Sequence, residues 1–207
     1  MLTAVEALER LKAGNKRFVS GVPNIDTLMS QSRRRDLITG QAPFAVILGC
    51  SDSRVPVEMV FDRGLGDLFV IRVAGNIVSP SQVGSVEFAA ERFGTRLVIV
   101  LGHTRCGAVG ATLDALRKKR GTLSPNLRFI VDHIRPSIEG LLNTDLIDSP
   151  AALYEEAVKA NVRVAANHLR HGSEILEGLI ARDNLLVVGA EYSLESGRVD
   201  FFDNPID

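Results

Sequence analysis

Four short apolar segments recur along this chain of 207 residues, and stretches with helical periodicity separate them. They are rich in Val, Ile, Leu and Phe, as strands buried on both faces are. They span Phe44–Gly49, Asp67–Val73, Leu97–Leu101 and Leu185–Gly189. Strands that alternate with helices connect through right-handed crossovers into a mostly parallel sheet. The sequence therefore predicts an α/β fold with about four parallel strands flanked by helices.

The remaining segments predict the helices and one further strand. Thr3 and Glu6 form a capping box at the start of an amphipathic helix over residues 3–20. The core helices are predicted at 79–93, 107–119, 125–142, 150–170 and 173–181. Val199–Phe202 follows the turn signal Ser196-Gly197 and is predicted to pair antiparallel at the sheet edge.

The organisation that these elements predict is a single domain over residues 1–207. Residues 1–42 form an N-terminal helical arm, in which 21–42 is a loop with one short helix, and residues 43–207 form the α/β core. There is no internal repeat and no Gly/Ser/Pro-rich linker to divide the chain. The helices with long apolar faces leave more apolar surface than a small monomer keeps, so we expect an oligomer.

The composition excludes several function classes. Hydrophobic residues make up 45%, charged residues 24%, and the net charge is −1, so no general attraction to nucleic acid or to a membrane surface is expected. The N-terminus has no signal-peptide pattern, and no apolar stretch is long enough to span a bilayer. We expect a cytoplasmic protein, in whose reducing surroundings cysteines bind metal or stay free.

The chain has two cysteines, and each lies just beyond a predicted strand. Cys50 follows the first apolar segment, and His103-Thr104-Arg105-Cys106 follows the third. The carboxyl ends of neighbouring parallel strands meet at one edge, so these side chains are expected to converge. Two thiolates and one imidazole are three ligands for Zn²⁺, which prefers four, and the fourth position can hold a reactive water.

Other interpretations of these residues remain open from the pattern alone. Both cysteines could be small buried hydrophobic residues or a redox pair, although a redox pair leaves His103 without a role. Asp52 and Arg54 could form an ordinary salt bridge at a strand end. Beside a metal, Arg54 can clamp Asp52 through two hydrogen bonds, while Asp52 either fills the fourth position or accepts a hydrogen bond from zinc-bound hydroxide.

Cys50-Ser51-Asp52-Ser53-Arg54 and His103-Thr104-Arg105-Cys106 together resemble the signature of the β-class carbonic anhydrases. The resemblance covers most of the chain, including Asn15–Phe18, Gly66–Asn76 and Gly84–Phe88. It implies one Zn²⁺ per chain, with Cys50, His103 and Cys106 as ligands and Asp52 and Arg54 as the catalytic dyad.

The resemblance also implies an activity and an assembly. The activity is the reversible hydration of carbon dioxide to bicarbonate and a proton, by zinc-bound hydroxide that the dyad orients. The assembly is a homodimer or a dimer of dimers, with the N-terminal helices wrapped around the partner and the active-site cleft at the dimer interface. We expect Phe88 and Val73 to line an apolar substrate pocket, and the Gly107 amide to contact the developing bicarbonate.

Two positions depart from subgroups of that family. Some members carry an inhibitory bicarbonate pocket built from Trp, Arg and Tyr. In this chain, Arg72 and Tyr192 could supply two of these side chains, but Ile47 stands at the Trp position. We therefore do not expect this pocket. Plant-like members place Gln and Tyr in the substrate cleft where this chain has Gly64 and Phe88. The substrate pocket is therefore expected to be more apolar or more open.

Two alternative functions fit the same residues. One is an enzyme that acts on carbon disulfide or carbonyl sulfide by the same geometry. The other is a non-catalytic zinc protein in which Asp52 is a permanent fourth ligand. Arg54 argues against the second alternative, because a purely structural site needs no partner for a ligating carboxylate.

Overall fold

The computed structural model describes residues 2–22, 31–117 and 123–203, and these residues form a five-stranded sheet of order β2-β1-β3-β4-β5. The strands are β1 (Ala45–Gly49), β2 (Leu68–Arg72), β3 (Leu97–His103), β4 (Leu186–Tyr192) and β5 (Val199–Asp203). Strands β1 to β4 pair in parallel, and β5 pairs antiparallel with β4. The α/β fold predicted from the sequence, with its antiparallel edge strand, is confirmed.

Helices connect and cover the strands. They are α1 (Ala4–Val19), α2 (Gln31–Asp36), α3 (Val57–Val60), α4 (Pro80–Arg92), α5 (Gly107–Leu116), α6 (Pro125–Ile138), α7 (Pro150–His171) and α8 (Glu174–Asp183). The predicted capping box begins α1, where the Glu6 amide donates to Thr3 Oγ1 at 3.2 Å. Among the described residues, no helix combines the length and the apolar character that crossing a bilayer requires.

The structure shifts several predicted boundaries. Strand β3 continues two residues beyond Leu101, because Gly102 and His103 pair with Glu191 and Tyr192 of β4. The one-turn helix α3 was not predicted. Helix α6 gives way after Ile138 to a 3-10 turn at Glu139–Asn143, and residues 118 and 119 of the predicted helix 107–119 lie outside the described residues.

Three apolar clusters surround the sheet. Helices α1 and α3 cover one face, and α4, α7 and α8 cover the other. A third cluster lies at the carboxyl ends of the strands, where α5, α6 and α7 meet around Cys50 and Cys106. The last cluster matters most for function, because it encloses the strand ends at which the predicted ligands lie.

Helix α7 approaches β3 closely at Gly102. A Cβ atom at this position would lie 2.5 Å from Val162 Cγ2 and 3.4 Å from Val158 Cγ1, both on α7. Only a glycine allows this distance without movement of the helix. The backbone just before His103 is thereby held between β4 on one side and α7 above it.

Candidate metal centre

The three predicted ligands converge at the carboxyl edge of the sheet. Strands β1 and β3 are neighbours in register, with Gly49 opposite Leu101. Cys50 follows β1 directly, His103 is the last residue of β3, and Cys106 is the N-cap of α5. All three are buried, and their ligand atoms lie within 4.8 Å of one another. The structure therefore brings together side chains that lie far apart in the sequence.

The donor set and its geometry fit a tetrahedral metal ion. The two sulfur atoms are 4.0 Å apart, and two sulfurs bound at about 2.3 Å to a tetrahedral ion would be about 3.8 Å apart. His103 Nδ1 lies 2.9 Å from the Thr104 carbonyl oxygen, which assigns the proton to Nδ1. Nε2 is then a buried lone pair that has no hydrogen-bond partner within the described residues. Such a set, with the second ring nitrogen held by a carbonyl, is typical of zinc.

The electrostatics of the two thiols also favour a bound cation. A hydrogen bond from Cys106 lowers the pKa of Cys50 to about 4, against the opposing effect of burial. The same hydrogen bond, together with burial, raises the pKa of Cys106. Burial by itself lowers the pKa of His103, but the adjacent Cys50 thiolate outweighs it and the pKa is raised. The Cys50 thiolate thus places a buried negative charge beside the other two ligand atoms, and a bound cation neutralises this charge.

Asp52 and Arg54 form a bidentate pair beside this cluster. Arg54 donates from Nε to Asp52 Oδ1 at 2.9 Å and from Nη2 to Oδ2 at 2.7 Å, and its backbone amide donates to Oδ1 at 3.0 Å. These bonds hold the pKa of Asp52 well below its usual range. Asp52 Oδ2 lies 3.8 Å from His103 Nε2. The carboxylate is therefore ionised, directed by Arg54, and adjacent to the ligand atoms.

Side chains that the sequence analysis did not assign to the site fix its backbone. Arg72, at the end of β2, donates from Nε to the Cys50 carbonyl at 3.2 Å and from Nη2 to the Asp52 carbonyl at 2.6 Å. Tyr154 on α7 donates its hydroxyl proton to the Cys106 carbonyl at 2.5 Å. The available signal for Arg72 was its position at the carboxyl end of the strand next to β1. No comparable signal marks Tyr154 in the sequence, because its partner is 48 residues away.

Two of the predicted substrate residues lie near the ligands. The Val73 amide donates to the Gly49 carbonyl at 3.1 Å, and its side chain packs against the cluster that contains Cys50. Gly107 is the exposed first residue of α5, directly after Cys106. A Cβ atom at Gly107 would meet no described atom within 4 Å, so the space in front of this glycine is open.

The structure does not bring Phe88 to the metal cluster of its own chain. Its side chain is 53% exposed on α4. Its ring contacts are with Phe69, at 6.2 Å between ring centroids, and with Phe93, at 5.6 Å. Ile47 and Tyr192, considered above for a second pocket, are both buried in the cluster that α1 covers.

Comparison with known proteins identifies the family. The family model described as carbonic anhydrase matches residues 45–199. A carbonic anhydrase of Mycolicibacterium smegmatis is 40% identical over 200 residues, which cover 95% of this chain and 92% of that protein. The β-carbonic anhydrase CafA of Aspergillus fumigatus has a crystal structure with a TM-score of 0.74 at 26% identity, over 92% of this chain and 88% of that chain. A tetrameric β-carbonic anhydrase of Sordaria macrospora shares the fold, with a TM-score of 0.71 at 24% identity over 92% of this chain and 90% of that chain.

The mostly parallel sheet, with a buried Cys-His-Cys cluster at the carboxyl ends of its strands, is the arrangement of a metalloenzyme. The chain belongs to the carbonic anhydrase family, and within it to the β class. Members of this family hydrate carbon dioxide reversibly to bicarbonate and a proton. The enzyme class and the reaction expected from the sequence are thus confirmed.

Proposed function

We propose that this chain hydrates carbon dioxide at one zinc ion per chain, held by Cys50, His103 and Cys106. The observation that carries this proposal is the buried, unpartnered Nε2 of His103 beside two sulfur atoms of suitable separation. Zinc supplies a Lewis acid that lowers the pKa of a bound water from 15.7 to about 7 in the most favourable case. Two thiolates cancel the formal charge of the ion, so this ligand set lowers that pKa less than three imidazoles would.

Asp52 and Arg54 act as the catalytic dyad. The Asp52 carboxylate accepts a hydrogen bond from the attacking water and so fixes the direction of its lone pair toward carbon dioxide. Arg54 keeps both carboxylate oxygens engaged, which maintains this orientation and restrains Asp52 from taking the open ligand position itself. Arg54 therefore determines whether the site is available for substrate.

The substrate side of the site combines apolar surface with a backbone donor. Carbon dioxide is small and apolar, which suits the surface that Val73 provides next to the Cys50 cluster. The Gly107 amide, at the open N-terminus of α5, donates to the oxygen that becomes negative as bicarbonate forms. Phe88 is half exposed and packs against Phe69 and Phe93, so its proposed role in the substrate pocket requires a cleft that a second chain shares.

A homodimer, alone or as part of a dimer of dimers, supplies that second chain. In the described part of the chain, β2 is an edge strand that pairs with β1 only, and such an edge is available for a partner. Phe88 next to it and Val5 on α1 are both about half exposed. An arm of residues 1–42 that packs on the partner would cover Val5. Analytical ultracentrifugation tests this assembly, and a monomer at micromolar concentration would exclude it.

Stopped-flow measurement of carbon dioxide hydration tests the role of the dyad. We expect Asp52→Asn to retain zinc and to lower kcat/KM by roughly 10²- to 10⁴-fold, the range for loss of a positioned acid–base group. Asp145→Asn, at an exposed aspartate outside the ligand set and the dyad, is the matched control and should not change kcat/KM. An Asp52→Asn enzyme with wild-type kcat/KM would contradict the proposed catalytic role of Asp52 in the dyad. Faster turnover of carbonyl sulfide or carbon disulfide than of carbon dioxide would contradict the proposal that carbon dioxide is the substrate.

A further inference from the structure

Two consecutive hydrogen bonds connect helix α7 with the sulfur of Cys50. The Gly75 amide donates to Cys50 Sγ at 3.4 Å. The side-chain amide of Asn161, on α7, donates from Nδ2 to the Gly75 carbonyl at 2.8 Å. All three residues are buried, so water does not compete for either bond. One glycine thus lies between a metal ligand and a side chain that does not touch the ligand.

Gly75 adopts a backbone conformation that needs external support. Its φ of 69° and ψ of 19° lie in the left-handed region, which residues with a Cβ rarely adopt. A Cβ at this position would lie 2.6 Å from Ile134 Cδ1 and 3.0 Å from Ala108 Cβ. The glycine is therefore enclosed between α5 and α6, and the direction of its amide depends on how its two peptide groups are held.

Asn161 is the polar residue that holds one of these peptide groups. It is 4% exposed and lies on a face of α7 whose other buried members are apolar, among them Ala157, Val158 and Val162. A buried amide on an apolar helix face is unfavourable unless it is hydrogen-bonded. Its Nδ2 bond to Gly75 meets this requirement, and Ser137 Oγ lies 3.5 Å from its Oδ1.

We propose that Asn161 is a positioning residue for the metal centre, which acts through the Gly75 amide on the Cys50 sulfur. The hydrogen bond holds the Cys50 sulfur in the position from which it ligates the metal, so its loss weakens metal binding, and it also withdraws electron density from that sulfur, so its loss changes the sulfur-to-metal charge transfer. Asn161 keeps that bond directed. This inference rests on the proposed function, in which Cys50 binds the metal.

Asn161→Leu, which keeps the approximate volume but cannot donate, tests this role in the cobalt-substituted protein. We expect metal affinity, measured by competition with a chelator, to fall roughly 10- to 100-fold, as for other losses of a group that supports a ligand. We also expect the thiolate-to-cobalt charge-transfer band to shift. Thr95→Val is the matched control, because Thr95 Oγ1 makes an equally buried bond of 2.8 Å to the Pro43 carbonyl at the opposite end of β3.

The outcomes separate this inference from the proposed function. A wild-type cobalt protein without any thiolate-to-cobalt band would show that Cys50 and Cys106 are not ligands. A normal wild-type band that is unchanged in Asn161→Leu, with unchanged metal affinity, would overturn the role of Asn161 alone. A band shift and affinity loss of equal size in Thr95→Val would also overturn it, since any lost buried hydrogen bond would then suffice.

Measurements on the wild-type chain decide the question if Asn161→Leu does not fold. In the cadmium-113 protein, we expect NMR scalar coupling between the Gly75 amide proton and the metal through Cys50. We also expect coupling between the Asn161 side-chain nitrogen and the Gly75 carbonyl carbon. Both couplings pass through the hydrogen bonds that carry the inference, and the absence of either would overturn it.

Discussion

Replacing Gly102 with alanine tests whether the close approach of α7 to β3 determines the geometry next to His103. The added Cβ would lie 2.5 Å from Val162 Cγ2, which is too close for any real contact. Overpacking of this kind costs about 1–3 kcal/mol. In a chain of this size, 1 kcal/mol shifts Tm by roughly 2–4 °C, so we expect Gly102→Ala to lower Tm by roughly 2–12 °C.

Val162→Ala provides the matching half of a double-mutant cycle. Alone, it removes two buried methyl groups, at about 0.8 kcal/mol each before any cavity term, and should cost about 2 kcal/mol. In the double mutant, the methyl group introduced at position 102 enters the space that Val162 Cγ2 leaves. We therefore expect the double mutant to be more stable than the sum of the single effects by about 1–2 kcal/mol.

Urea denaturation of the metal-loaded protein, followed by circular dichroism at one fixed protein concentration, gives the four free energies of unfolding. The same preparations are titrated with a chelator, because a displaced α7 should also weaken the metal centre. Strictly additive effects on the free energy of unfolding would refute the reasoning, since the two side chains would then not share the space between β3 and α7.

Three further predictions concern the site itself. Arg54→Ala releases Asp52, whose Oδ2 is already 3.8 Å from His103 Nε2, so the carboxylate should compete for the metal. We therefore expect hydration activity to fall more at neutral than at alkaline pH. An equal loss across the whole pH–rate profile would contradict this expectation. In the metal-free protein, the pKa of Cys50 is lowered to about 4 while that of Cys106 is raised, so at mildly acidic pH Cys50 is the thiolate of the pair. Mass spectrometry after alkylation should therefore find the label on Cys50. Equal labelling of the two cysteines would contradict this assignment. Removal of the metal leaves the buried Cys50 thiolate without a cation, so differential scanning calorimetry should show Tm falling on chelation and recovering when zinc is added. An unchanged Tm would contradict a site built around the ion.

The strands could be predicted because their sequence pattern directly reflects their burial. All residues of β1 and β3 are buried, and parallel strands covered on both faces appear in a sequence as continuous apolar runs. The prediction nevertheless ended β3 at Leu101, where the apolar run ends. Pairing with β4 continues the strand through His103, and such pairing depends on a segment about 90 residues away that no local pattern contains.

The metal ligands could be predicted for a different reason. The cysteines are few, each lies just beyond a strand, and parallel strands bring their carboxyl ends together. The supporting roles of Gly75 and Asn161 could not be predicted, because they consist of contacts between distant segments, and the strand-end position of Arg72 did not identify its partners. Asn161 gives one signal, a polar residue on the apolar face of a helix, and this signal does not identify its partner.

The coordination sphere of the metal in the purified protein tests the central claim most directly. X-ray absorption, combined with metal analysis, should find one zinc per chain bound by two sulfurs, one imidazole nitrogen and one oxygen at alkaline pH. Cysteine-to-serine substitution at either Cys50 or Cys106 should then remove one sulfur from the sphere. A chain without stoichiometric zinc, or a zinc ion whose sphere lacks the two sulfurs of Cys50 and Cys106, would contradict the account.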